Sequence, residues 1–246
     1  MPDSSSGIPY DVPPGGSLGL LALGWRGLVA WREARGTDWL ADFPLPDPPR
    51  PEAETPVDGD LIVVCGLPRS GTSMLMQMLR AGGVPVFADG TREADESNPR
   101  GYVEHERVKR TAQDATWVTE ADGAAVKVVA PLLPLLPTGP RYRVLFIERD
   151  LDEVLRSQRA MLARSGREAG DADALRSVYA RHLRAAHAWA DAHAEAVTLR
   201  YAEVVADPAR AAARIGDALG TTPDGRPLRL GAMADVVAPD LYRQRA

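Results

Sequence analysis

The chain has 246 residues, 45% of them hydrophobic, which is enough to bury the core of one ordinary domain. Its formal net charge of −5 excludes a nucleic-acid binder that relies on a generally basic surface, because such a surface needs many lysines and arginines opposite the phosphates. The single cysteine, Cys65, excludes an intrachain disulfide. Nothing in the composition indicates an oxidising compartment, and the cytoplasm is the default expectation.

The first 56 residues are predicted to form a separate N-terminal segment. Apolar residues at helical spacing, including Leu18, Leu21 and Trp25, predict an amphipathic helix over residues 17–35. A signal peptide or membrane span is not expected, because no Lys or Arg precedes the apolar run and Arg26 interrupts it early. The proline-rich stretch between residues 42 and 60 predicts an extended linker.

From residue 57 onward, short apolar runs alternate with helical patterns, which predicts one α/β domain over residues 57–246. Strands are predicted at 61–65, 124–129, 144–147 and 196–199, and helices at 74–79, 150–165, 171–195 and 207–219. Strands that alternate with helices favour parallel pairing. We therefore expect a three-layer, P-loop-like fold with a central, mainly parallel β-sheet.

The segment 66–73, GLPRSGTS, joins the first predicted strand to a helix and is the main functional signal. Backbone N–H groups of such a loop converge on an anion, and the helix N-terminus adds positive potential. Gly66, Gly71 and the hydroxyl of Ser73 fit the Walker pattern, but Thr72 stands where the lysine of nucleoside triphosphate sites belongs. The cation is Arg69 instead, so phosphoryl transfer is less favoured.

The loop resembles the 5′-phosphosulfate loop of sulfotransferases that use PAPS (3′-phosphoadenosine 5′-phosphosulfate) as donor; the residues that carry this resemblance are Pro68, Arg69, Ser70, Gly71, Thr72 and Ser73. A second element resembles the same family. The strand at 144–147 leads to Arg149, and Ser157 follows eight residues later. The resemblance implies that this pair binds the donor's 3′-phosphate. It covers about residues 60–220, including the RYAEVVADP turn at 200–208.

The resemblance also implies candidates for the chemistry, in which a base takes the acceptor's proton and a cation stabilises the leaving phosphate oxygen. Arg69 is the candidate cation. The segment 98–104, NPRGYVE, resembles a stretch of bacterial sulfotransferases, which makes Glu104, expected near the start of a helix, the first candidate base. His105 is its competitor. Lys127, in an apolar strand, is expected either to contact the sulfuryl group or to reach solvent.

Several points stay open at the level of sequence. Glu148 or Asp150 could serve as the Walker B carboxylate of a magnesium-dependent kinase, and a binding protein without catalysis would keep the same loop. The R-K-G segment of cytosolic eukaryotic members is absent, and the arginines that could replace it are Arg226, Arg243 and Arg245.

The expected partner is a hydroxyl or amine acceptor on a small molecule, lipid or glycan. No metal and no nucleic acid is expected, and a homodimer is one oligomeric state that the sequence leaves open.

Overall fold

The computed structural model describes residues 60–90, 101, 103–164, 171–238 and 240. The predicted N-terminal helix, the linker before residue 60, and Arg243 and Arg245 lie outside these residues. The boundary between a segment 1–56 and a domain 57–246 therefore stays a prediction.

Four strands form the described sheet: β1 (Asp60–Gly66), β2 (Ala125–Val129), β3 (Arg141–Glu148) and β4 (Ala194–Arg200). Their order is β2-β1-β3-β4, and every pairing is parallel, which confirms the predicted parallel sheet. From β1 the chain goes to one neighbour, β2, and then crosses to the other, β3. The crevice between the carboxyl ends of β1 and β3 is thus the topological switch point, where open α/β sheets bind their ligands.

The helices lie between and after these strands, with bounds α1 Thr72–Gly82, α2 Trp117–Glu120, α3 Leu151–Arg164, α4 Ala172–His193, α5 Tyr201–Ala206, α6 Pro208–Leu219 and α7 Leu230–Asp235. Two 3₁₀ helices occupy Glu106–Arg110 and Ala130–Leu135. The three long helical patterns of the sequence match α3, α4 and α6 within two residues at either end. Strand β3 is longer than predicted, because its polar first residues also pair with β1.

The two faces of the sheet bury separate hydrophobic clusters, which gives the predicted three layers. Val63 packs in a cluster with Trp189 of α4, whereas the next residue, Val64, packs with Leu79 of α1 and Ile215 of α6. This alternation follows from the two-residue period of a strand. Among the described residues, no helix is both long and apolar enough to cross a membrane.

Helix α6 begins after Asp207, whose carboxylate accepts a hydrogen bond from the backbone N–H of Arg210 at 2.9 Å. Replacing this cap, Asp207→Ala, should lower the free energy of unfolding by about 0.5–2 kcal/mol. Asp217→Ala is the matched control, because Asp217 is exposed near the other end of α6, where a negative charge opposes the helix dipole. Urea denaturation measures both variants. Equal losses of stability would contradict the capping role.

Candidate functional site

The loop between β1 and α1 has an unusual backbone. Arg69 has φ 71°, which makes it the non-glycine residue with positive φ in the described part of the chain, and Gly71 has φ 108°. Ser70 closes the turn, because its backbone N–H and its Oγ donate to the carbonyl of Leu67 at 3.1 and 2.8 Å. A left-handed arginine costs about 1–2 kcal/mol, so contacts from outside the loop must hold it.

Gly66 allows the loop to lie close against the edge of the sheet. A Cβ atom at this position would be 2.5 Å from Ser70 Oγ and 2.6 Å from the carbonyl oxygen of Ile147. Thr72, in the place of the Walker lysine, is 5% exposed, and its methyl carbon would be 3.2 Å from the same Cβ atom. Thr72 is therefore packed beside the strand, and the N-terminus of α1 faces the loop with its first N–H groups.

The β3 side of the loop carries the second predicted element. Arg149 directly follows β3, and its Nη1 donates to the carbonyl oxygen of Arg69 at 3.3 Å. Its Nε donates to Glu153 Oε2 at 2.7 Å. Ser157 of α3 accepts a hydrogen bond from Arg69 Nε at 3.1 Å. Arg149 and Ser157 thus meet at Arg69, in the crevice between β1 and β3; their binding of a 3′-phosphate stays a prediction.

Glu153 and Tyr201 belong to this site although the sequence analysis did not select them. Glu153 is 3% exposed and follows Arg149 by four residues, a spacing that could have suggested the pair. Tyr201 lies under the guanidinium of Arg149, 4.5 Å from the ring centroid to Cζ. A Cβ atom at Gly71 would be 2.5 Å from its ring. Burial raises the pKa of the Tyr201 phenol, and the charge of Arg149 offsets part of that rise.

The β2 side of the loop carries Lys127. Its Nζ lies 3.0 Å from Glu104 Oε2 and donates to Ser73 Oγ at 3.3 Å. The side chains of Lys127 and Glu104 are only 8% and 15% exposed. The expectation that Lys127 reaches solvent is therefore wrong, because its ammonium has two oxygen partners inside the protein. Glu104, Lys127 and Ser73 form a continuous polar chain that ends at the loop.

The predicted helix start at Glu104 is also wrong. Residues 103–105 have no regular structure, and a 3₁₀ helix begins at Glu106. His105 is the cap: its backbone is extended, and its Nδ1 accepts a hydrogen bond from the N–H of Arg107 at 3.2 Å. Its ring stacks on Phe87 at 4.2 Å between centroids. The same Nδ1 lies 3.7 Å from Asp89 Oδ2. The choice between Glu104 and His105 as the base stays a prediction.

The carboxylates of the kinase alternative have other partners. Glu148 Oε1 lies 2.6 Å from His187 Nε2. Asp150 caps α3 by accepting hydrogen bonds from the backbone N–H groups of Asp152 and Glu153 at 2.9 and 3.1 Å. Within the described ranges, no group of three or more His, Cys, Asp and Glu residues could hold a metal ion.

Arg226, one candidate to replace the R-K-G segment, lies in the turn before α7. Its side chain is 80% exposed, and its Nε is 3.0 Å from Asp224 Oδ2. A role for Arg226 as a phosphate ligand stays a prediction.

A parallel α/β sheet with a glycine-rich loop between strand and helix at its switch point defines an α/β protein of the P-loop-like class. The sequence model of the Sulfotransferase family matches residues 104–224. Residues 104–224 thus match the sulfotransferase family, which is a family of enzymes, and the resemblance drawn from the sequence is confirmed for this part of the chain. The match begins after residues 66–73, so the assignment of the loop rests on the motif and its geometry.

The solved structures that are similar to the chain include two sulfotransferases. The sulfotransferase domain from the curacin biosynthetic pathway has 13% sequence identity and a TM-score of 0.42, with 66% of this chain and 74% of that chain covered. The sulfotransferase from Alicyclobacillus acidocaldarius has 14% identity and a TM-score of 0.43, with 73% and 87% covered. No curated protein matches the chain.

The buried pair of Glu104 and Lys127 should contribute more to stability than an exposed pair nearby. Glu104→Gln should lower the free energy of unfolding by about 1–3 kcal/mol, because it leaves the ammonium of Lys127 buried without its carboxylate. Glu106→Gln is the matched control, since Glu106 forms an exposed pair with Lys109 at 2.6 Å, and it should cost about 0–1 kcal/mol. Urea denaturation of both variants measures the difference. An unchanged free energy of unfolding in Glu104→Gln would contradict the stabilising role of the buried pair.

Proposed function

We propose that the protein transfers a sulfuryl group from PAPS to a hydroxyl or amine of a small molecule, lipid or glycan and releases adenosine 3′,5′-bisphosphate. One observation carries the proposal: Arg69 and Arg149 meet beside Ser157 at the end of the phosphate loop. Two guanidinium groups therefore lie close together here, and in the described part of the chain Arg149 pairs with the carboxylate of Glu153. This cluster offers a second anionic group a place next to the loop.

The residues present fit this donor. The loop has a helix N-terminus, and the lack of space for a Cβ atom at Gly66 shows how closely its backbone is folded. These features suit the 5′-phosphosulfate group. Arg149 and Ser157 suit the 3′-phosphate, because both contact Arg69 from the β3 side.

PAPS, when bound, supplies an electrophilic sulfuryl group. Arg69 is the loop's cation and would stabilise the negative charge that develops on the 5′-phosphate oxygen as the S–O bond breaks. Glu104 would accept the proton that the acceptor oxygen or nitrogen loses as its bond to sulfur forms. Lys127, 3.0 Å from Glu104, favours the ionised carboxylate and holds it on the β2 side of the loop.

A magnesium-dependent kinase is the main alternative. In P-loop kinases the hydroxyl at the end of the loop holds Mg²⁺. Here the corresponding Ser73 Oγ accepts a hydrogen bond from the ammonium of Lys127 at 3.3 Å. A cation already in contact with this hydroxyl supports the sulfotransferase reaction over the kinase reaction.

Calorimetry tests the donor. We expect adenosine 3′,5′-bisphosphate to bind more tightly than ATP with Mg²⁺. Ser157→Ala should weaken bisphosphate binding by about 3- to 10-fold, the effect of one lost hydrogen bond, and should change binding of adenosine 5′-monophosphate less. Ser177→Ala, at an exposed position of α4, is the matched control and should change neither. Tight binding of ATP with Mg²⁺ and no binding of the bisphosphate would refute the proposed donor.

Turnover tests the base. Release of the bisphosphate from PAPS is measured with a panel of phenol, alcohol and amine acceptors. Glu104→Gln should lower kcat by about 10²- to 10⁴-fold while bisphosphate affinity changes little, because general-base catalysis contributes rate enhancements of that size. His105→Asn, which keeps a side chain able to cap the 3₁₀ helix, should retain most of the turnover.

Near-full turnover of Glu104→Gln would remove Glu104 as the base. Bisphosphate binding by the wild-type protein without transfer to any acceptor would favour a binding protein that has lost catalysis.

A further inference from the structure

Three polar atoms from three different segments meet at the β2 side of the loop. Ser73 Oγ comes from the first turn of α1, Glu104 Oε2 from the segment before the 3₁₀ helix, and Lys127 Nζ from β2. The ammonium lies 3.3 Å from the hydroxyl oxygen and 3.0 Å from the carboxylate oxygen. Both charged side chains are largely buried, so solvent screens this cation only weakly.

The oxygen atoms around this ammonium are of the kind that a divalent cation takes as ligands. Mg²⁺ prefers hard oxygen donors and is usually bound by one or two carboxylates together with a phosphate of the substrate. In nucleoside triphosphate sites, the hydroxyl at the position of Ser73 completes that set. Here a hydroxyl and a carboxylate are present at the end of the loop, and a lysine ammonium occupies the space between them.

Lys127 reaches this place from a direction that differs from that of the Walker lysine. The Walker lysine would stand at Thr72, within the loop itself. Lys127 instead pairs in register with Val64 of the neighbouring strand β1, and its side chain extends along the sheet toward α1. The ammonium of Lys127 therefore lies beside the hydroxyl that holds Mg²⁺ in nucleoside triphosphate sites, and Thr72 stands at the loop position of the Walker lysine.

We propose that Lys127 is a specificity-determining residue that takes the place of the divalent cation, with Glu104 and Ser73 as its fixed oxygen partners. The inference rests on the proposed function, because it explains how this site holds an adenosine bisphosphate or phosphosulfate without metal. A divalent cation is repelled by the ammonium, so nucleotides that bind as magnesium complexes are disfavoured. Replacing the ammonium by an apolar side chain removes this repulsion and opens the space between the two oxygen atoms to a metal.

The test compares the binding of adenosine 3′,5′-bisphosphate in EDTA and in Mn²⁺, by calorimetry, for the wild-type protein and Lys127→Met. Wild-type affinity should be the same in both buffers within about twofold. Lys127→Met should bind about 10- to 100-fold more weakly in EDTA, the effect of losing one charged hydrogen-bond donor, and Mn²⁺ should restore much of this loss. Electron paramagnetic resonance should detect protein-bound Mn²⁺ in Lys127→Met but not in the wild type.

Three further variants serve as controls. Glu104→Gln combined with Lys127→Met should abolish restoration by Mn²⁺, because the carboxylate ligand is gone. Lys127→Arg keeps the charge and should bind the bisphosphate without metal. Lys109→Met removes an exposed ammonium and should behave as the wild type does. If Lys127→Met does not fold, Lys127→Ala replaces it, since its short side chain leaves the space between the two oxygen atoms open.

The outcomes separate the two proposals. Metal-dependent binding by the wild type, or weakened binding by Lys127→Met or Lys127→Ala that Mn²⁺ does not restore, overturns the role of Lys127 and leaves the proposed donor standing. Failure of the wild type to bind the bisphosphate in either buffer refutes the proposed donor itself.

Discussion

The contact between the guanidinium of Arg149 and the backbone carbonyl of Arg69 is the interaction on which the site depends. It joins the residue after β3 to the strained residue of the loop that follows β1. Glu153 and Tyr201 hold Arg149 in turn, through an ion pair and a stacked ring. Because the left-handed backbone is unfavourable on its own, the loop keeps its shape only while this set of buried contacts is intact.

The strand order gives the loop two chemically different sides. On the β3 side, Arg149 pairs with the buried carboxylate of Glu153, and the side chain of Arg69 contacts Ser157. On the β2 side, the ammonium of Lys127 bridges the carboxylate of Glu104 and the hydroxyl of Ser73. The crossover from β2 to β3 across β1 is what brings both sides to one short loop. An elongated donor with separate anionic groups, and an acceptor whose proton must be removed, suit such an arrangement.

Much of the fold and part of the site could be predicted from the sequence. The loop and the spacing from Arg149 to Ser157 are local patterns, and short segments specify them. The partnership of Glu104 with Lys127 is not local, since it depends on how β2 pairs with β1 and on the path of an irregular segment. The helix start expected at Glu104 was wrong, because the ring of His105 caps a 3₁₀ helix that begins at Glu106.

The loop is supported by side chains from the rest of the domain, and this has a consequence for the lifetime of the protein. Any anion that binds to the folded loop but not to the unfolded chain adds its binding free energy to that of folding. Because Arg149 connects the loop to the core of the sheet, binding of an anion to the loop would stabilise the whole domain and not only one surface turn. The supply of ligand in the cell would then regulate how much of the protein escapes unfolding and degradation.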